Sequence, residues 1–240
     1  MSALSAEETR RYARHLVLKD IGGAGQQRLK AARVLVVGAG ALGSPAIAYL
    51  AAAGVGTLGI ADPDRVSLSN LQRQVVHTTE AAQGAATKTD SAASFATRLN
   101  PNVNVVLHEL RITDENASEV VADYDLVLDG TDSFQSRQVI AGAGSVAGKP
   151  VVAGAVSMWD GTVTVFAPGG PSFADLYPVA PEPEDLPSCE AVGVLGAVTG
   201  VIGTLMAVEA IKLITGAGTP LVGRVLLYDG RAARFTEVAY

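Results

Sequence analysis

The strongest constraint in this chain of 240 residues is a short one. The apolar run Val34-Leu35-Val36-Val37 leads directly into Gly38-Ala39-Gly40-Ala41-Leu42-Gly43, and a helical pattern continues to about Ala53. An unbroken apolar run suits a strand buried on both faces, the condition of a parallel sheet between layers of helices. Glycines after it let the chain turn tightly and approach a ligand, and the free N–H groups of the next helix favour an anion. A second apolar run, 57–61, ends at Asp62, where a carboxylate can accept hydrogen bonds from ribose hydroxyls. Strand, glycine turn, helix, strand and acid predict a site for an adenosine nucleotide.

Further strands are expected at 103–107, 125–128 and 150–155, with helices at 88–99, 116–122 and 134–147 between them. Strands alternating with helices predict a Rossmann-like, doubly wound α/β fold. Beyond Gly154 the alternation stops. A strand at 161–166 and a closing pair at 224–228 and 234–238, around Asp229-Gly230, predict an antiparallel C-terminal portion to a mainly parallel sheet. At the other end, Ser5 and Glu8 form a capping-box signature for a first helix, after which Gly22, Gly23 and Gly25 read as a break. Six prolines between 168 and 187 exclude regular helix or central strand, so 168–190 reads as an exposed crossing loop. The whole of 1–240 is expected to form one domain.

The uncharged stretch 191–208 is long enough to cross a bilayer. It is rich in glycine, carries two threonines, and continues its pattern through Glu209 and Lys212, so a buried helix is expected. A net charge of −6 argues against bulk binding to nucleic acid or anionic membrane. The charged first helix has no apolar core like that of a signal peptide, which predicts a cytoplasmic protein without a membrane anchor. A single cysteine allows neither an internal disulfide nor a cysteine zinc cluster, and His15, His77 and His108 form no ligand motif and read as structural.

The glycine turn alone would suit NAD. The polar run Ser67-Leu68-Ser69-Asn70-Leu71-Gln72-Arg73-Gln74, Lys88 at the start of a helix, and Asp129-Gly130-Thr131-Asp132 after a strand argue otherwise. An open parallel sheet gathers such residues at its carboxyl edge. A triphosphate carries more charge than a dinucleotide pyrophosphate and calls for Arg, Lys and Mg2+. Asn70, Arg73, Lys88 and Asp132 therefore point to ATP.

In order along the chain stand Arg11-Tyr12-Ala13-Arg14-His15-Leu16, the glycine turn, Asp62 to Gln74, Lys88, Asp129 to Asp132, and a Cys189-to-Gly196 motif. Together they resemble the ThiF/MoeB-type ubiquitin-activating-enzyme-like family over nearly the whole chain. The resemblance implies ATP-dependent adenylation of the C-terminal glycine of a small ubiquitin-fold sulfur carrier, with release of pyrophosphate, by a homodimer. It implies nucleotide contacts at Gly38, Gly40, Ala41, Gly43, Asp62 and Ser69. Asn70, Arg73 and Lys88 would meet the phosphates, Asp132 would bind Mg2+, and Arg14 would reach the neighbouring subunit's site. The two CxxC pairs that bind zinc in many relatives have no counterpart, so a zinc-free variant is expected. Ala41 and Ser133 depart from the common Gly and Asn. Cys189 is either an acceptor of the activated acyl group or a packing residue. Other readings are adenylation of a different carboxylate, such as one on a modified tRNA base, a non-catalytic nucleotide-binding relative, and a dehydrogenase, which lacks an evident hydride-site acid or base.

Overall fold

The computed structural model describes residues 3–179, 181 and 192–240. Its centre is an eight-stranded sheet: β1 (Arg33–Val37), β2 (Thr57–Ala61), β3 (Asn104–His108), β4 (Leu126–Asp129), β5 (Val151–Ser157), β6 (Asp160–Phe166), β7 (Arg224–Asp229) and β8 (Arg234–Ala239). The spatial order is β3-β2-β1-β4-β5-β6-β7-β8. From β3 to β5 neighbours are parallel, and from β5 to β8 they are antiparallel.

Alternation along β1 builds both faces of the core. Val34 and Val36 point into one apolar cluster, Leu35 and Val37 into the other. The helices are α1 (Ala6–Arg11), α2 (Ala13–Leu16), α3 (Gly22–Ala31), α4 (Gly43–Ala53), α5 (Thr79–Gln83), α6 (Lys88–Leu99), α7 (Ala117–Ala122), α8 (Phe134–Ala147), α9 (Phe173–Leu176) and α10 (Gly196–Thr215). The α4 and α10 helices pack together on the first face, and α7 and α8 pair on the second. The capping box forms as expected: the Glu8 N–H donates to Ser5 Oγ at 3.1 Å, and the Ser5 N–H donates to Glu8 Oε2 at 2.7 Å.

The long apolar helix lies on β5 and β6, with Val198, Ile202, Met206 and Ala210 buried. By length and composition it could cross a membrane, but 44% of its most apolar window is buried in this fold. Gly203 sets its approach to α4, because a Cβ there would stand 2.4 Å from both the Leu42 carbonyl oxygen and Pro45 Cγ. The helix proper begins at Gly196. The residues before it spend their backbone groups elsewhere: the Met158 N–H donates to the Gly193 carbonyl, and the Leu195 N–H donates to the Met158 carbonyl.

Three local expectations are corrected. Gly22, Gly23 and Gly25 open α3 instead of breaking the chain. Tertiary contacts override their low helix propensity: Gln26 is buried with Nε2 donating to the Ala53 carbonyl at 2.7 Å, and Leu29 is fully buried. Within the proline-rich stretch, α9 forms one short turn because Ser172 and Asp175 cap it and Phe173 packs against Phe134, Phe166 and Tyr177. The β7–β8 hairpin turns through four residues, since Asp229 pairs with Arg234. Asp229 Oδ1 accepts from the Arg231 and Ala232 N–H groups, and Ala233 takes a positive φ of 50°.

Candidate functional site

The order reverses between β2-β1 and β1-β4, which leaves a crevice at the carboxyl ends of these strands. A cavity of 240 Å3 occupies it. Val37, Ile112 and Ile140 give it an apolar side, and Gly38, Gly40 and Ala41 supply backbone. Arg73, Lys88, Arg111 and Arg137 line it with three carboxylates, Asp62, Asp64 and Asp132. The apolar side suits a base, and the excess of cations suits phosphate.

Two positions of the glycine turn, Gly38 and Gly43, admit no side chain. A Cβ on Gly43 would fall 1.8 Å from the Gly38 carbonyl oxygen, and Gly38 itself has φ +89°. Asp62 then fixes the turn from outside. Its Oδ2 accepts from the Ala39 N–H at 2.8 Å and its Oδ1 from the Asp64 N–H at 2.9 Å. Burial pushes the Asp62 carboxyl above its ordinary range, and nearby Lys88 opposes that shift. Each oxygen keeps acceptor capacity for a ribose hydroxyl.

Lys88 is buried at the first position of α6, behind the Thr87 cap. Its Nζ lies 2.8 Å from Asp64 Oδ2 and 3.8 Å from Asp62 Oδ1. Arg73 sits half-buried on the turn that follows Asn70, with Nη1 donating to the Ser69 carbonyl at 3.1 Å. The start of α10 abuts that turn, since a Cβ on Gly196 would stand 2.3 Å from the Gln72 carbonyl oxygen. Asp132 is exposed at the mouth of the cavity. Asp129, the last residue of β4, is fully buried, and burial pushes its carboxyl upward; its Oδ1 accepts from the Thr131 N–H and hydroxyl.

Of the residues expected from sequence, Gly38, Gly40, Ala41, Asp62, Arg73, Lys88 and Asp132 line this one cavity. Gly43 lies behind the turn. Ser69 and Asn70 build the turn that carries Arg73: Asn70 Oδ1 accepts from the Ser67 N–H, and the Ser67 and Ser69 hydroxyls share a hydrogen bond. Arg14 is exposed on α2 and is not among the residues lining the cavity. Cys189 lies outside the described residues; Val194 lines the cavity.

Sequence reasoning quoted Asp64 and Gln74 within a motif without giving them a role, and passed over Arg111 and Arg137. Arg137 carried a signal, standing five residues after Asp132 on the helix that the same loop opens. Its Nη2 donates to the Thr131 carbonyl at 3.1 Å, which props the loop bearing Asp132. Arg137 and Asp132 also line a second, 550 Å3 groove across a face of the antiparallel strands that is open among the described residues. Thr162, Leu227 and Thr236, which sit side by side in register on β6, β7 and β8, form its floor.

A doubly wound sheet with a glycine turn at its switch point, an acid after β2 and a cationic cavity defines a nucleotide-binding α/β protein. The chain belongs to the ThiF family, which it matches over residues 12–240. It is 50% identical over 233 residues to the probable adenylyltransferase/sulfurtransferase MoeZ of Mycobacterium tuberculosis, covering 95% of this chain and 59% of MoeZ. The chain thus spans less than two thirds of that relative. It is 44% identical over 238 residues to the sulfur carrier protein adenylyltransferase of Thermus thermophilus, covering 97% of this chain and 87% of the relative. The crystal structure of E. coli MccB with MccA-N7isoASN superposes with a TM-score of 0.84 at 20% identity, over 98% of this chain and 72% of that one, which supports the fold.

Proposed function

We propose that this protein is an ATP-dependent adenylyltransferase that activates the C-terminal glycine of a small ubiquitin-fold sulfur carrier. The observation that carries the reading is the seam at Asp132 and Arg137, where the nucleotide cavity meets the open groove. A nucleotide in the first and an extended tail in the second would bring a carboxylate to the α-phosphate. The names of the relatives, which include sulfur carrier protein adenylyltransferase, favour a carrier protein as the acceptor.

In this reaction a carboxylate oxygen attacks the α-phosphorus and the bond to the bridging oxygen of pyrophosphate breaks. The products are an acyl-adenylate and pyrophosphate, and no side-chain nucleophile is required. The two reactants are both anions. Arg73 and Lys88 reduce their repulsion and stabilise charge on the departing pyrophosphate. Gly38 and Gly40 let the backbone approach the phosphates, and Asp62 orients the ribose.

Asp132 is the residue that would hold Mg2+. A single exposed carboxylate fits that ion, which takes one or two carboxylates and completes its shell with phosphates and water. Among the described residues no three His, Cys, Asp or Glu side chains stand close enough together to hold a metal ion. When bound it neutralises phosphate charge.

The working form is a cytoplasmic homodimer with 1–240 as a single catalytic unit. Arg14 is exposed and does not line its own cavity, which suits action on a second copy. The outer side of α10 leaves Val208 exposed beside Tyr49 of α4, an apolar face for a partner helix. Calorimetry with Mg·ATP and with NAD tests the nucleotide assignment: ATP is expected to bind, and tight NAD binding without ATP binding would overturn it.

A further inference from the structure

His77 is buried at 6% exposure and belongs to none of the cavity's lining, yet it touches the elements that form it. Its Nε2 lies 2.9 Å from the Ala39 carbonyl oxygen. Its Nδ1 lies 2.9 Å from the Ser91 hydroxyl, on the first turn of the helix that Lys88 opens. His77 itself follows three residues after Gln74, with its N–H donating to the Gln74 carbonyl at 3.1 Å. One imidazole therefore joins the glycine turn, the Arg73 turn and the Lys88 helix.

Chemistry fixes the direction of both bonds. A carbonyl oxygen only accepts, so Nε2 carries the proton. In the neutral ring Nδ1 then accepts from the Ser91 hydroxyl. Burial holds the imidazole below its ordinary pKa, and Lys88 pushes the same way. Asp62 and the Ala39 carbonyl oppose them without reversing the direction. The peptide groups flanking Ala39 are thus held from two sides: the Ala39 N–H is committed to Asp62 and the Ala39 carbonyl to His77. With both fixed, the N–H groups of the turn cannot swing away from a phosphate.

We propose that His77 is a positioning residue for the nucleotide, a neutral Nε2–H clamp that holds the Gly38–Gly40 turn in its phosphate-receiving shape and ties it to the Arg73 turn and the Lys88 helix. This rests on the reading of the cavity as a nucleotide site. The clamp never meets the ligand; it acts through the Ala39 carbonyl. Glutamine can place an amide N–H where Nε2 stands, whereas asparagine can reach only the Nδ1 position. The two variants therefore separate the Ala39 bond from the Ser91 bond at similar polarity.

The test uses the full chain. Mg·ATP affinity is measured by calorimetry for wild type, His77→Gln, His77→Asn and Ser91→Ala, with melting temperatures recorded in parallel. His77→Gln is expected within about threefold of wild type, His77→Asn weaker by about tenfold at similar melting temperature, and Ser91→Ala within about threefold, on the scale of one hydrogen bond. Equal affinities for the Gln and Asn variants, whether both intact or both lost, would overturn the clamp. Imidazole 15N resonances of the wild-type protein, taken without nucleotide, give a second reading that needs no variant to fold. A neutral Nε2–H ring at pH 7 supports the proposal; an Nδ1–H tautomer or an imidazolium overturns it. If wild type bound no ATP, the nucleotide assignment would fail while the 15N measurement still decided the clamp's geometry.

Discussion

Lys88 Nζ rests 2.8 Å from Asp64 Oδ2, a carboxylate two residues beyond the one placed to hold ribose. The cation assigned to phosphate therefore already has a carboxylate partner within the fold. The Asp64 side chain is half-exposed while that of Lys88 is buried. An incoming phosphate must displace Asp64 from a lysine that is already desolvated and aimed. Asp64→Asn removes the competing charge, so Mg·ATP is expected to bind about threefold to fivefold more tightly by calorimetry, the scale of a partly exposed ion pair. Weaker binding would mean that Asp64 itself serves the ligand.

The two glycines of the turn predict opposite tolerances. Gly43→Ala would drive a methyl group into the Gly38 carbonyl, backbone against backbone. Loss of measurable ATP binding is expected, with a destabilisation of ~1–3 kcal/mol in chemical unfolding. At Gly40 the nearest atom to an added Cβ is the Gln74 amide nitrogen at 3.3 Å, the end of a side chain that can give way. Gly40→Ala is expected to fold with near-normal stability. Equal stability of the two variants would contradict this account of the turn.

His77 and His108 are both held below the ordinary imidazole value of 6.5, chiefly by burial. The unfolded chain therefore binds protons that the folded chain refuses as pH falls below 6.5, so each histidine favours folding above that value and favours it less below it. The stability difference between wild type and His77→Gln is expected to shift against wild type as pH falls from 7 to 5.5. Denaturant titrations across that range check it, and a difference independent of pH would show that His77 ionises equally in both states.

Action across subunits predicts complementation. Arg14→Ala and Asp132→Ala proteins are each expected to be poorly active, and mixing them should restore part of the activity through hybrids that keep one intact site. Native mass spectrometry confirms that subunits exchange. No recovery despite exchange would place Arg14 outside the partner's site.

Much of the parallel half of the sheet was legible because β1, β2 and β4 are apolar runs closed by glycine or aspartate. Residues 34–37 and 57–61 read from sequence as Arg33–Val37 and Thr57–Ala61 in the fold. Asp62, Arg73, Lys88 and Asp132 were legible as one site because each follows a strand end or opens a helix on one edge. What escaped depended on contacts distant in sequence. The glycine-rich start of α3 looks like a break until Gln26 finds the Ala53 carbonyl. Asp64 and Arg137 look like surface charges until the crevice brings them to Lys88 and Thr131. His77 reads as a structural histidine, and only the distance to Ala39 ties it to the glycine turn.

The central claim is that the cavity and groove meet so that a carrier's terminal carboxylate attacks ATP. Exchange of labelled pyrophosphate into ATP, with candidate sulfur carriers ending in glycine, tests it most directly. The account predicts exchange that requires a carrier with a free terminal carboxylate and that falls by ~10²–10³-fold in Arg73→Ala and in Asp132→Ala, the scale for losing one transition-state charge stabiliser. Exchange that proceeds equally with a carrier whose terminus is amidated, or that is unchanged in both well-folded variants, would contradict it.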